Sequence, residues 1–219
     1  MSRKRVSTQS DAQQSHMRSS LLILALFFCC GCGTPKLPGT PGATETFFGQ
    51  ILYGIERYLP LANGIIFHYQ TEVKATGAVG VFVMDVSRDG ELVELKTGTR
   101  VRRLQVTPEA ISDLSGGGYL LKAPLELGAS WEGQTGTIQV TSVDQVAQVD
   151  AGRFEGCLVT TEETQATAVL RITETTFCPN VGIVSIHVKA ISGDNVTGEV
   201  ARLRSFGEKI DIFNLDDEL

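Results

Sequence analysis

The stretch GIIFHYQTEV, residues 64–73, alternates between the two faces of an extended chain and is rich in β-branched and aromatic residues. The stretch AVGVFVMDVS, residues 78–87, has the same pattern and leads into SRDG, residues 87–90, which is typical of a turn. Alternation with a period of two indicates a half-buried β-strand. These two stretches therefore predict neighbouring strands of an antiparallel sheet.

The pattern continues to residue 206 without a comparable helical segment, which argues against a parallel βαβ arrangement. About ten short strands at this spacing predict an all-β fold, a strongly curved antiparallel sheet that forms an open or half-closed barrel. The further predicted strands are ELVELKTG (91–98), TRVRRLQVT (99–107), GYLLKAP (118–124), TGTIQVTSVDQVAQV (135–149), RFEGCLVTTEE (153–163), ATAVLRITETTF (166–177), VGIVSIHVKA (181–190) and TGEVARLRSF (197–206).

The beginning of the chain has a different composition. Arg18 precedes the apolar run LLILALFF, residues 21–28, and small residues follow it. A run of this length is far shorter than the roughly 20 residues of a membrane-spanning helix. A basic region, a short apolar run and a small-residue exit are the parts of a secretory signal, which we assign to residues 1–31 with Met1 or Met17 as its start.

The exit of this signal, CCGC, resembles a bacterial lipobox. Gly31-Cys32 fits best, and the resemblance implies cleavage before Cys32 followed by acylation of its thiol and amine. Several acyl chains together give stable membrane anchoring. Gly33 stands where an aspartate would imply retention in the inner membrane, so the resemblance implies an outer-membrane protein facing the periplasm. A plain secretory signal, a Gram-positive anchor and a metal-binding cysteine cluster remain open.

Residues 32–46 are rich in Pro, Gly and Thr and are interpreted as the lipidated N-terminus and a flexible linker. The following stretch FFGQILYGIERYL, residues 47–59, has a helix-like apolar stripe weakened by Gly49 and Gly54. It is either a short helix packed on the domain or a helix on the membrane surface. Residues 47–219 are assigned to one antiparallel β domain.

Charge narrows the choice of partners. The chain has a formal net charge of −6, and the segment before Cys32 has four basic residues and one acidic residue, so the exported body is more acidic still. An acidic body argues against nucleic acid as a partner and against docking on anionic lipid through a basic patch.

Four segments occur together in a familiar order. RYLPLANGIIFHYQTE (57–72), YLLKAPLELGASWEG (119–133), VDAGRFEGCLVTTEE (149–163) and FCPNVGIVSIHV (177–188) are similar to segments of a broad group of bacterial exported proteins and lipoproteins. The resemblance implies a twisted antiparallel sheet curled into an open or closed barrel, as in lipoprotein-carrier (LolA-like) folds. It supplies no catalytic residues.

Cys157 and Cys178 are the cysteines of the predicted body, and an oxidising compartment favours their pairing. With a hairpin turn near Gln165, however, Cys157 would face about residue 174, and a disulfide needs Cα atoms within about 7 Å. A longer or bulged turn would bring the two cysteines opposite each other. A disulfide and two buried free thiols both remain open.

Little else in the sequence suggests chemistry. Neither His68 nor His187 has a ligand-spaced partner in the sequence, no G-x-S-x-G motif is present, and we predict no enzyme activity, metal or cofactor. Trp131 either fills one end of the sheet's hollow face or stacks on a ligand; with Phe67 and Tyr69 it forms the candidate ligand face.

Two functions follow from these expectations. The domain is either a non-enzymatic binding module for a hydrophobic or lipid-like ligand, or a structural or assembly lipoprotein of the envelope whose interior is filled. An unfilled apolar cavity would favour the first, and a packed interior would favour the second.

Overall fold

The computed structural model describes residues 46–47, 50–52 and 54–209. Twelve antiparallel strands form one continuous sheet, and two short strands pair separately before it. The strands are β1 (Thr46–Phe47), β2 (Gln50–Ile51), β3 (Ile65–Val73), β4 (Ala78–Asp89), β5 (Leu92–Thr97), β6 (Arg100–Val106), β7 (Ala110–Asp113), β8 (Tyr119–Lys122), β9 (Ser130–Glu132), β10 (Thr137–Val149), β11 (Gly152–Ala166), β12 (Val169–Cys178), β13 (Gly182–Ser192) and β14 (Asn195–Glu208).

The sheet consists of two meanders, and hydrogen bonds between the first strand of one and the last strand of the other join them. Strands β3 to β8 follow one another on one side, β9 to β14 follow one another on the other, and β3 pairs with β14 between them. Consecutive strands β8 and β9 are thereby the two edges, and they approach each other without a hydrogen-bonded ladder between them. The result is a nearly closed barrel, which confirms the predicted all-β, strongly curved antiparallel sheet.

Curvature comes from irregularities within the long strands. The register shifts three times between β10 and β11, once between β12 and β13 at Thr176/Phe177, and once between β14 and β3 at Leu203/Ser205. A bulge bends its strand and increases the local twist. These shifts allow strands of ten or more residues to wrap around a single core.

One end of the barrel is plugged by the segment that leads into β3. Leu52, Ile55, Leu59 and Leu61 are buried in the same core as the inward side chains of the strands. The backbone carbonyl of this segment at residue 57 accepts a hydrogen bond from the turn between β12 and β13. We call the end of the barrel that this segment fills the plugged end. The opposite end, which carries the turns at 74–77, 133–136 and 167–168, is called the open end.

An ion pair fastens the plug to the wall of the barrel. The Arg88 guanidinium donates to both carboxylate oxygens of Glu56, at 3.0 and 3.3 Å, and to the carbonyl of Leu61 at 3.4 Å. Both charged side chains are partly buried. A two-pronged arginine–carboxylate contact fixes orientation as well as distance, so this pair holds the plug in register with β4.

The predicted helix at 47–59 is wrong in most of its length. The described part contains the short strands β1 and β2 and a single 3-10 turn, Gly54–Arg57. Gly54 has a φ of 54°, a left-handed conformation that a continuous right-handed helix does not accommodate. The apolar residues of the stripe are nevertheless buried where they are described, at Phe47, Leu52 and Ile55.

Candidate functional site

A cavity of about 250 Å³ lies inside the barrel towards its open end. The plugged end of the interior is filled by core side chains, whereas inward side chains near the open end leave this space free. Its wall is formed by Arg102, Tyr119, Leu120, Gln134, Thr135, Ile138, Thr160, Glu162, Arg171, Thr173, Thr175, Phe177, Ile183 and Ile186.

The register of the central strands explains why these side chains face the cavity. Thr160 lies opposite Thr175, and Glu162 lies opposite Thr173, across the β11–β12 ladder. Successive side chains of a strand point to opposite faces of the sheet, so Thr160 and Glu162 on β11 share the inner face with the odd-numbered Thr173 and Thr175 on β12. Small threonines at these positions leave the space that larger apolar residues fill nearer the plugged end.

The floor of the cavity is apolar. Phe177, Ile183 and Ile186 lie on the inner face of β12 and β13, and Phe177 is buried in the core. Ile138, opposite Glu162 across the β10–β11 ladder, adds apolar surface nearer the open end. An alkyl or aromatic group placed there would be removed from water, which is favourable in proportion to the apolar area covered.

The rim of the cavity is polar, and its carboxylate is already engaged. Glu162 Oε1 accepts hydrogen bonds from the backbone N–H of Thr135 at 2.9 Å, the Thr135 hydroxyl at 3.0 Å and the backbone N–H of Gly136 at 3.0 Å. Three donors on one oxygen tie Glu162 to the turn between β9 and β10. The carboxylate therefore acts as a brace for the open end.

Arg102 at the rim is held by a buried acid. Its Nε donates to Asp113 Oδ2 at 2.6 Å, while Asp113 Oδ1 accepts from the backbone N–H groups of Ser115 and Gly116. Burial by itself raises the pKa of Asp113, but the hydrogen bond from Arg102 and those from the turn outweigh it, so the pKa lies below its ordinary value. Asp113 thus remains ionised and positions the Arg102 guanidinium.

The candidate ligand face predicted from the sequence does not coincide with this cavity. Trp131, Phe67 and Tyr69 are 6%, 0% and 1% exposed, and none of them lines the cavity wall. Phe67 stacks between Tyr69 and Phe206, with ring centroids 6.5 and 6.1 Å apart. These side chains fill the barrel, because they belong to its packed core.

The Tyr69 hydroxyl and the Trp131 indole N–H differ in their hydrogen bonding. The Tyr69 hydroxyl donates to the carbonyl of Ile183 at 2.8 Å, and burial raises the pKa of its phenol far above the ordinary value, which keeps it neutral. The Trp131 indole N–H is buried without a hydrogen-bond partner among the residues that the structure describes.

Cys157 and Cys178 are joined in the structure, with a sulfur–sulfur distance of 2.03 Å and a Cα–Cα distance of 4.1 Å. The turn between β11 and β12 falls at residues 167–168 rather than near Gln165, because β11 continues to Ala166. With the turn at this position, Cys157 lies opposite Cys178. The β11–β12 ladder between the two cysteines and the turn contains no bulge.

His68 and His187 lie on the outer face of the barrel. His68 Nδ1 is 3.0 Å from the Ser205 hydroxyl, and no carboxylate in residues 54–209 forms a hydrogen bond or ion pair with His68. Burial lowers the pKa of His187; the neighbouring Glu174 opposes this effect, while nearby cations add to it. A serine–histidine contact without a group to orient the imidazole lacks the third part of a catalytic triad.

Within the described ranges, no group of three or more His, Cys, Asp or Glu side chains could hold a metal ion. Their helical content also includes nothing both long enough and apolar enough to cross a bilayer. Cys32 and the predicted signal lie outside the described residues, as does the predicted linker apart from Thr46.

Sequence reasoning missed the cavity-lining residues. The usable signal was the series of threonines Thr160, Thr173 and Thr175 at alternate positions of two adjacent strands, where an all-apolar inner face would be expected. Such a series is equally typical of an outward, solvated face, and only the register of the closed sheet assigns it to the interior.

No protein-family model matches the chain, and no match was found among curated proteins. Two solved structures are similar to it at low identity. One is a Bacteroides fragilis protein described as exported and of YmcC-like fold, with 10% identity and a TM-score of 0.47, covering 69% of this chain and 99% of its own. The other is a Parabacteroides distasonis protein described as a lipoprotein, with 10% identity and a TM-score of 0.42, covering 68% and 98% respectively.

Proposed function

We propose that this protein is a lipid-anchored protein of the bacterial envelope whose barrel holds a hydrophobic or lipid-like ligand without chemically changing it. The observation that carries the proposal is the cavity of about 250 Å³ at the open end of a barrel whose other end is packed solid. A blind, largely pre-formed cavity with an apolar floor and a few polar groups at its rim is the usual form of a small-molecule site.

The size of the cavity limits what it could hold. Its volume of about 250 Å³ lies just below the range for drug-sized ligand sites, which is roughly 300–1,000 Å³. One alkyl chain or a comparable apolar group suits this space better than a lipid with several chains. The ligand that the proposal implies is therefore slender, or is one chain of a larger molecule whose remainder stays outside.

The anchor is the second part of the proposal. The lipobox resemblance at Gly31-Cys32 supports acylation of Cys32 and attachment to the outer membrane with the domain in the periplasm. The membrane is then a partner through acyl chains, and the acidic body disfavours nucleic acid. Metabolic labelling with a clickable palmitate tests it: Cys32→Ser should abolish labelling, whereas Cys30→Ser should retain it. Equal labelling of both variants would contradict the assignment of Cys32.

The absence of catalysis is also proposed. The rim carboxylate Glu162 and the buried Asp113 that holds Arg102 are each engaged by several hydrogen-bond donors. General acid–base work needs a group free to exchange a proton with a reactant. The site is therefore better suited to binding than to reaction.

Native mass spectrometry after mild extraction tests the ligand. The wild-type protein should retain a co-purified amphiphile that Thr175→Phe, which fills the cavity, excludes. Glu174→Phe is the matched control, because its side chain is next along β12 and faces outwards. If the wild-type protein carries no ligand and binds no added alkyl compound, the structural or assembly function is favoured and the binding proposal fails.

A further inference from the structure

One cation at the open end has no partner within the described part of the chain. Arg171 lines the cavity from the first half of β12, opposite Thr164 on β11 and Ala190 on β13. No hydrogen bond or ion pair engages its guanidinium in residues 54–209. A guanidinium carries five N–H donors in a rigid fork that suits carboxylate or phosphate oxygens.

The nearby acids are committed elsewhere. Glu162, diagonal to Arg171 across the ladder, is tied to the β9–β10 turn by three donors on one oxygen. Asp113 is tied to Arg102 and to the β7–β8 turn. Arg102 uses only its Nε in that pair, so its two terminal nitrogens remain available at the rim.

Polar and apolar groups are therefore separated along the axis of the cavity. The arginines and Gln134 lie at the mouth, whereas Phe177 and Ile183 lie deeper, towards the packed core. A ligand complementary to this arrangement has an anionic head and a single apolar tail. A charge-assisted hydrogen bond to a guanidinium is about twice as strong as a neutral one, so the head group contributes selectivity as well as affinity.

We propose that the cavity selects single-chain amphiphiles with an anionic carboxylate-type head, which Arg171 and the free edge of Arg102 bind while the tail lies against Phe177. This inference rests on the proposed function, since it names the ligand class of the same cavity. Its particular claim is the sign of the head-group charge that is preferred.

Calorimetric titration of three probes with equal tails tests this preference. The full-length chain, held in amphipol and stripped of lipid, is titrated with octanoate, 1-octanol and octyltrimethylammonium. Octanoate should bind about tenfold more tightly than 1-octanol, as expected for one hydrogen bond to a charged group, and octyltrimethylammonium should bind most weakly. Propionate, which has the head without the long tail, should bind more weakly than octanoate if the apolar floor contributes.

Two variants assign the preference to the proposed residue. Arg171→Gln should lower octanoate affinity about tenfold, close to that of 1-octanol. Lys189→Gln removes the same charge from the outward face of β13 and should leave octanoate affinity unchanged. Equal affinities of octanoate and 1-octanol, or an unchanged preference in Arg171→Gln, would overturn the inference and leave the proposed function standing. Failure of all three eight-carbon probes to bind would overturn both.

Discussion

Removal of the Cys157–Cys178 link should lower the free energy of unfolding by about 3 kcal/mol. The bond closes a loop with a sequence separation of 21, and the chain-entropy relation for a loop of that length gives about this value at 25 °C. Both cysteines are fully buried, so Cys157→Ala/Cys178→Ala also leaves a small void. The double variant should therefore be slightly less stable than the reduced wild-type protein, which keeps its sulfur atoms.

Urea unfolding of the oxidised, reduced and double-variant proteins measures this difference. With a slope of about 2 kcal/mol/M, the oxidised protein should unfold at about 1.5 M higher urea than the reduced one. Mass spectrometry after alkylation under denaturing conditions establishes which samples contain the bond. If the free energies of unfolding of the alkylation-resistant, oxidised protein and of the reduced protein differ by less than about 0.5 kcal/mol, the loop-closure reasoning is wrong for this hairpin.

The remaining predictions concern the closure of the barrel, its core and its rim. Gly118→Ala should lower the melting temperature more than Gly117→Ala. Both glycines have φ near 78°, but only at Gly118 would a Cβ collide with the Gly133 carbonyl. Equal melting temperatures of the two variants would contradict this contact. Tyr69→Phe should cost about 1–2 kcal/mol in urea unfolding, because a buried carbonyl loses its donor; a loss of only a few tenths would show that the carbonyl finds another partner. The depressed pKa of Asp113 stabilises the fold above about pH 4, the unfolded value, and this contribution is lost as the pH falls through the lower folded pKa. Thermal melts from neutral to acidic pH should accordingly show a steeper loss for the wild-type protein than for Asp113→Asn; parallel profiles would contradict it.

Most strands could be predicted from the sequence, because alternation over six or more residues is a local property. All ten predicted strands have counterparts in the sheet. The two strands of this sheet that were missed, β7 (Ala110–Asp113) and β9 (Ser130–Glu132), have only four and three residues, and the separate pair β1 and β2, with two residues each, was missed as well. A segment of this length contains too few alternations to be distinguished from a loop, and its pairing with a neighbour is what makes it a strand.

The candidate site could not be predicted in the same way. The sequence shows that Trp131, Phe67 and Tyr69 are large and apolar, but the same property suits a filled core and a ligand face. Whether an inward residue meets a cavity or another side chain depends on how many strands close the barrel and on what covers each end. The plug at residues 54–61 fills one end, and that is a tertiary contact.

The sequence by itself determined the all-β class and the antiparallel character of the sheet, because alternation and turn residues are encoded within a few neighbouring positions. Its short apolar leader predicts export. The tertiary structure decided the near-closure of the barrel between β8 and β9, the register that joins Cys157 to Cys178, and the free Arg171 at the mouth of the cavity. The near-closure and the cavity around Arg171 depend on residues far apart in the chain, whose distance is fixed only when the first and last long strands pair. The disulfide depends instead on where the turn of the β11–β12 hairpin falls.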